Sequence, residues 1–217
     1  MSKPAEPADN AEKIVKEFVG AVTRPDLDPR VLQRRLDDLA RLGAREVSAT
    51  TLMTERVIGR TSGAEQAVID KLAELRETVN PESGRRRVQR VRELVNELQD
   101  ARSRLQQENA GIDQDRRALA VQTQMLARYV QLTERIASEL GSRPAPSDVV
   151  DAVQHRRGAL ASHLEVARQA DAALELIETH NRKLIEAVDT VSTTDAAVHA
   201  AAAIPQALRR VQQEPPA

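Results

Sequence analysis

Residues 91–140 read VRELVNELQDARSRLQQENAGIDQDRRALAVQTQMLARYVQLTERIASEL, and this stretch decides the fold. One position in every seven carries an apolar residue or, once, a threonine: Val91, Leu98, Leu105, Ile112, Leu119, Leu126, Thr133 and Leu140. Such a repeat is typical of a coiled-coil seam, because residues seven apart lie on one stripe of a helix. We therefore predict one continuous long helix that starts near residue 85 and ends near residue 140.

A second long helix follows after a short break. Gly141, Pro144 and Pro146 end the first helix, since proline removes a backbone donor and glycine disfavours the helix interior. Apolar residues then recur at spacings of three and four: Val153, Leu160, Leu164, Ala167, Leu174, Ile177, Leu184, Val188, Val191 and Val198. Two long helices joined by so short a loop run antiparallel. The predicted fold is all-α, with an elongated antiparallel helical hairpin, packed as a coiled coil, over residues 85–208.

The predicted hairpin is flanked by shorter elements. Residues 1–10 are rich in Pro, Ala and acidic residues and are predicted to be disordered, and residues 209–217 to form a flexible tail. Residues 11–84 form a small N-terminal helical region with about four short helices, because turn-forming residues interrupt the helical pattern. These interruptions are Arg24-Pro25-Asp26, Asp28-Pro29, Gly43, Gly59 and Ser62-Gly63. Short helices do not persist alone, so this region must pack on itself or on the hairpin.

Composition narrows the classes of function. The chain has 217 residues with one Phe, one Tyr, no Trp and 30% charged residues, as in long helices that bury narrow seams. It has no Cys, which excludes disulfides, thiolate metal sites and thiol nucleophiles. A net charge of −1 argues against nucleic acid as a partner. The sequence contains neither a secretion signal nor a spanning segment, so we predict a cytoplasmic protein.

Chemistry-bearing motifs are absent from the sequence. The four histidines, His155, His163, His180 and His199, are never three or four residues apart, so we interpret them as surface residues rather than as a metal site. There is no phosphate-binding glycine loop and no Ser/His/Asp arrangement. We predict no catalytic, metal-binding or cofactor-binding residue, and no enzyme activity.

Arginine pairs leave one alternative open. They occur at Arg34-Arg35, Arg86-Arg87, Arg116-Arg117, Arg156-Arg157 and Arg209-Arg210. Guanidinium groups bind oxyanions and acidic lipids well. We interpret these scattered pairs as solvated helix faces, with direct oxyanion binding, or peripheral contact with a membrane, as the alternatives.

The middle of the first long helix carries polar residues beside its seam. Arg102, Asn109 and Arg116 stand where apolar residues are expected between the positions of the seven-residue repeat. Polar residues in a coiled coil fix the register at a cost in stability, or they mark the place where a further helix or an external partner docks. We favour the register role.

The loop predicts which residues face each other across the hairpin. A turn centred between Arg143 and Pro144 pairs residues whose numbers sum to about 287, within about one turn of ~4 residues. Arg116 then falls near Asp171, and Asn109 near Glu178 and Asn181. We also predict that Asn181 faces the seam. The candidate residues for register or interaction are Asn109, Arg116, Asp171, Asn181 and Asp189.

Several segments resemble a known family. Residues 176–189, LIETHNRKLIEAVD, followed by Thr193-Thr194, are similar to a pattern of an apolar pair, an Asn, a Leu-Ile, a Val-Asp and then threonines. Further matches are residues 106–109 (QQEN), 126–132 with Tyr129, 39–43 (LARLG) and 72–81 (LAELRETVNP). In this order they resemble the toxic anion (tellurite) resistance family, TelA-like. The chain departs from that family in its short segment before the first long helix and in lacking an extra C-terminal helix, so no third helix is expected in the bundle.

The resemblance implies a role rather than a reaction. It implies association with resistance to tellurite and other toxic anions, without established catalytic residues. The function expected from it is a non-enzymatic, stress-associated scaffold that contacts protein partners, or the inner face of a membrane. A direct oxyanion-binding protein and a structural homo-oligomer are the two competing hypotheses.

Overall fold

The computed structural model describes residues 7–60, 63–78 and 86–193, which fold into helices without any strand. The helices are α1 (Pro7–Val22), α2 (Pro29–Arg41), α3 (Ala44–Ile58), α4 (Gly63–Thr78), α5 (Arg86–Gly141) and α6 (Ser147–Thr193). The predicted all-α class is confirmed. Four short helices precede two long ones, and the breaks after α1, α2, α3 and α5 fall at predicted turns.

Helix boundaries differ from the prediction mainly at the N-terminus. Helix α1 begins at Pro7, inside the segment predicted to be disordered, and a proline suits a first helical position because its missing N–H is not needed there. Helix α2 follows the expected pattern, with Asp28 as N-cap and Pro29 in the first turn. Residues 1–6, the last part of the predicted hairpin (194–208) and the predicted tail (209–217) lie outside the described residues.

The seven-residue repeat is buried as predicted. Each of its eight positions, Val91, Leu98, Leu105, Ile112, Leu119, Leu126, Thr133 and Leu140, is at most 6% exposed. Thr133 fits because its hydroxyl donates to the backbone carbonyl oxygens of Tyr129 and Val130, which satisfies the buried polar group. The repeat therefore marks the buried stripe of α5.

The chain divides into two compact units that share the long helices. The first unit contains α1, α2 and α3 with residues 117–141 of α5 and 147–171 of α6. The second contains α4 with residues 86–116 of α5 and 172–193 of α6.

The short helices of the first unit pack on the long ones. Val15, Phe18, Val19 and Val22 of α1 and Leu39 of α2 share a buried cluster with Leu132, Ile136 and Leu140 of α5 and Val149 and Val153 of α6. Further along, Val47 of α3 packs on Leu126 and Leu160, and Met53 packs on Leu119. The expected packing of short helices on the hairpin is thus present in this unit.

A tight corner joins α2 to α3. Gly43 has φ +71°, and a Cβ there would lie 2.9 Å from Leu160 Cδ2 and 3.0 Å from Tyr129 Cδ2. Beside it, Arg156 Nε donates to the carbonyl oxygen of Leu42 at 2.9 Å. Burial lowers the pKa of Arg156, whose guanidinium satisfies a carbonyl at the end of α2. Glycine is required here both for conformation and for space.

The second unit contains a third helix, α4. This corrects the expectation, drawn from the family resemblance, that the bundle has no third helix. Ala64, Val68, Leu72 and Leu75 of α4 pack with Val91, Leu94, Leu98, Ala101 and Leu105 of α5 and Leu184, Ala187, Val188 and Val191 of α6. Leu94 and Ala101 lie three residues after Val91 and Leu98, so α5 has a second apolar row in this unit. Helix α4 is therefore the third helix of this unit.

Within the described ranges, no helix combines the length and the hydrophobicity needed to cross a membrane.

Candidate functional site

The polar residues predicted on α5 lie in the second unit and face α6. We call Arg102, Asn109 and Arg116, together with their contacts on α6, the central polar layer. All three are half-buried, beside the fully buried Leu98, Leu105 and Ile112. Their partial burial leaves the guanidinium and amide ends able to reach across to α6.

Arg116 forms two ion pairs with α6. Nη1 lies 3.1 Å from Glu178 Oε2, and Nη2 lies 3.1 Å from Glu175 Oε2. The prediction named Asp171, so these carboxylates lie about one and two helical turns further along α6. Asp171 itself is half-buried and belongs to the first unit. Arg116 therefore has acidic partners on α6, and its predicted pairing with Asp171 stays a prediction.

Asn109 and Asn181 meet as predicted. Asn181 is fully buried and donates from Nδ2 to Asn109 Oδ1 at 3.0 Å. The prediction that Asn181 faces the seam is confirmed. Its Oδ1 atom has no hydrogen-bond partner among the residues that the structure describes. A buried amide of this kind costs stability and favours the one alignment in which the second amide is present.

Asp189, a candidate residue for which the sequence suggested no particular contact, pairs with Arg102. Arg102 Nη2 donates to Asp189 Oδ2 at 3.1 Å, and Nε lies 2.6 Å from Oδ1 without the direction of a hydrogen bond. Next to this pair, Gln99 donates from Nε2 to Ser192 Oγ. The central polar layer therefore extends from Asp189 to Glu175 on α6.

The observed pairing is displaced slightly from the predicted register. Residue numbers sum to 290 for Asn109–Asn181 and to 291 for Arg102–Asp189 and Gln99–Ser192. These values lie within the predicted tolerance of about four residues around 287. Part of the displacement follows from the loop, whose midpoint between Gly141 and Ser147 is Pro144 itself. The rest arises because only residues on facing sides of the two helices can pair.

Helix α4 adds ion pairs on the other side of α5. Lys71 of α4 pairs with Glu97 of α5, and Glu74 of α4 pairs with Arg90 of α5. Arg90 also pairs with Glu93 and Glu97 of its own helix. A hydrogen bond from Lys71 lowers the pKa of Glu97, and one from Arg90 lowers the pKa of Glu74. Sequence reasoning missed these contacts. The apolar residues Leu94 and Ala101, outside the seven-residue repeat, are the features that indicate a further helix on this side.

Two more polar contacts lie at the start of α4. His180 Nε2 lies 2.9 Å from Glu65 Oε1, and Arg60 pairs with Asp115. Of the other histidines, His155 is exposed and His163 half-buried, whereas His199 lies outside the described residues. Among the described residues, no three His, Asp or Glu side chains are grouped so that they could hold a metal ion. The arrangement joins helices through charge and hydrogen bonds.

Charge reversal tests the ion pairs of Arg116. We expect Arg116→Glu to lower the free energy of unfolding by about 1 kcal/mol, since the side chain is only 28% exposed and would face two carboxylates. Adding Glu178→Arg should recover part of this loss in urea denaturation. Arg104→Glu, an exposed change on the same helix, is the control and should change stability little. Strictly additive losses in a double-mutant cycle would contradict the pairing.

The network around Lys71 predicts a loss of stability in acid. Glu74 and Glu97 have pKa values below their ordinary 4.5, so their contribution is complete above that value and is lost as the pH falls through the lowered pKa. The pKa of Lys71 is raised above 10.5, so Lys71 stays charged throughout the acid range. We expect the melting temperature of the wild-type protein to exceed that of Glu97→Gln at pH 7, and the difference to shrink below pH 4.5. A constant difference down to pH 2.5 would contradict this role.

Comparisons with known proteins found no match. No family model matches the chain, no curated protein is similar to it, and no solved structure resembles it.

Proposed function

We propose that this chain is a non-enzymatic helical scaffold that contacts protein partners in the cytoplasm, as its resemblance to the toxic anion resistance family implies. The proposal rests on one observation: the charged side chains of the central polar layer pair with each other across α5 and α6. Arg102 and Arg116 form ion pairs with carboxylates of α6, and Asn109 accepts a hydrogen bond from Asn181. These groups hold helices together, so the polar residues at the middle of the hairpin serve structure rather than a reaction.

The same contacts weigh against direct oxyanion binding through the arginine pairs. Arg35 lies 3.8 Å from Asp38, Arg116 is held by two glutamates, and Arg156 is directed to the carbonyl oxygen of Leu42. To bind at any of these three arginines, an oxyanion would have to displace a carboxylate or break the corner between α2 and α3. Stress-related binding is therefore better assigned to protein contact than to capture of the anion.

Helix α3 offers apolar surface for such a contact. Leu52 is 61% exposed and Ile58 is 78% exposed, whereas Met53 and Val57 of the same helix pack inward. A partner that covers exposed apolar side chains gains affinity, because their surface is removed from water. Leu52 and Ile58 lie about 120° apart around α3, one on each flank of its outward side, and we place the partner contact on this outward side.

Affinity capture from stressed cells tests the scaffold. The wild-type chain should retain a specific protein, and Leu52→Ser with Ile58→Ser should lose it without a change in helix content. Leu176→Ser, which alters an apolar residue 57% exposed on α6, is the matched control and should retain the protein. Equal retention by both variants would refute the assignment to α3.

Two measurements separate the competing hypotheses. Titration calorimetry with tellurite should give no saturable heat, and stoichiometric binding would favour the oxyanion-binding alternative. Light scattering coupled to size exclusion gives the mass in solution. A stable multimer of this chain, without any other captured protein, would favour the structural homo-oligomer.

A further inference from the structure

The charges of the central polar layer follow a fixed order along both helices. On α5, positions one heptad apart carry Arg102, Asn109 and Arg116. On α6, positions one heptad apart carry Glu175, Arg182 and Asp189. The order is positive, neutral, positive on α5 and negative, positive, negative on α6. In the observed alignment, both arginines of α5 meet acidic residues.

Among the side chains that the structure describes on α5, none forms an ion pair with Arg182 in this alignment. Its Nη2 donates to Glu178 of its own helix at 2.7 Å, and its side chain is 59% exposed. Its level on α6 corresponds to Asn109, which carries no charge. In the native structure Arg182 is an ordinary surface residue, and its exposed ion pair with Glu178 contributes little stability.

A slip of one heptad changes the surroundings of Arg182. If α6 moves by one heptad in one direction, Arg182 comes to the position of Asp189 and lies opposite Arg102. If it moves by one heptad in the other direction, Arg182 comes to the position of Glu175 and lies opposite Arg116. Both slipped alignments keep the leucines of the repeat opposite apolar residues, but both separate Asn181 from Asn109 and bring two guanidinium groups together. Like charges brought together at a helix interface are destabilising.

We infer that Arg182 selects the register of α5 and α6 in the second unit by excluding both one-heptad slips. Apolar residues every seven positions do not distinguish these alignments, since each leucine finds another apolar partner after a slip. The hairpin loop also constrains the register, most strongly for the residues beside it. The alternating charges of Glu175, Arg182 and Asp189 add a further constraint on register in the second unit, beside the Asn109–Asn181 pair.

Spin labels measure the register directly. The chain has no native cysteine, so Ser103→Cys and Ala173→Cys accept two nitroxides without further changes. Both positions are exposed, lie in the second unit and are outside the central polar layer. They are also offset along the hairpin, so a one-heptad slip changes their axial separation by about 10 Å, from seven residues at ~1.5 Å each. Double electron–electron resonance resolves such a shift.

The decisive variant reverses the order of charges without changing net charge. Arg182→Glu with Asp189→Arg places two arginines opposite each other in the native register and gives each slip an Arg–Glu pair. We expect one distance in the labelled wild-type protein and a second, displaced component in this variant. Arg104→Glu with Glu186→Arg exchanges the same kinds of residue at exposed positions and should keep the single distance. A single native distance in the decisive variant overturns the inference.

Arg182→Glu alone keeps the result interpretable if the double variant unfolds. It leaves both native ion pairs of Arg102 and Arg116 in place, so the protein should fold. Each slip gains an Arg–Glu pair, and we expect a minor displaced component in the distance distribution. If the double variant unfolds and Arg182→Glu gives only the native distance, Asp189 merely stabilises the hairpin and Arg182 has no role in register.

Discussion

Replacing Gly43 by alanine is expected to lower the free energy of unfolding by about 2–4 kcal/mol. Part of this loss comes from the positive φ of +71°, which costs an L-residue roughly 1–2 kcal/mol. The rest comes from crowding, because the new methyl group would approach the side chains of Leu160 and Tyr129 to about 3 Å. Urea denaturation followed by circular dichroism measures the difference.

A second glycine provides the control for this substitution. Gly158 lies inside α6 in the same unit, and a Cβ there would meet nothing within 4 Å. Gly158→Ala should therefore stabilise the protein by about 0.5–1 kcal/mol, because alanine is favoured over glycine within a helix. Equal effects of the two substitutions would show that the corner between α2 and α3 imposes no special demand on Gly43.

Truncating Leu98 is expected to have an effect of similar size. This residue of the seven-residue repeat is completely buried between α4, α5 and α6, so Leu98→Ala leaves a cavity as well as removing apolar contact. Losses of about 2–5 kcal/mol are typical of such changes. Leu176→Ala removes the same atoms from a side chain that is 57% exposed, and we expect a loss below about 0.5 kcal/mol. Comparable losses at both positions would contradict the assignment of the buried stripe.

The repeat in α5 was readable from the sequence because it is local and long. Seven-residue spacing reports which side of a helix is buried without any knowledge of what covers it. Gly141, Pro144 and Pro146 located the end of the helix in the same way, through backbone chemistry. The number and order of the helices followed from these two kinds of information.

The partners of the polar residues were harder to predict. Arg116 pairs with Glu175 and Glu178, which the position of the loop alone did not predict, because pairing also depends on the rotational phase of the two helices. The cover provided by α4 was missed for a related reason. Leu94 and Ala101 show a second apolar row on α5, but a row of this kind does not identify which helix occupies it.

The antiparallel pairing of α5 and α6 bears on how the chain folds. Near the loop, Leu140 and Val149 share a cluster although only nine residues separate them. Far from the loop, Asn109 and Asn181 are 72 residues apart in sequence, and Gln99 and Ser192 are 93 apart. Bringing together residues that are far apart in sequence costs more chain entropy than bringing together residues that are close. The pairing of α5 with α6 should therefore begin beside the loop and proceed away from it. The amide pair of Asn109 and Asn181 then forms late, where a misaligned intermediate can still reopen before the hairpin is complete.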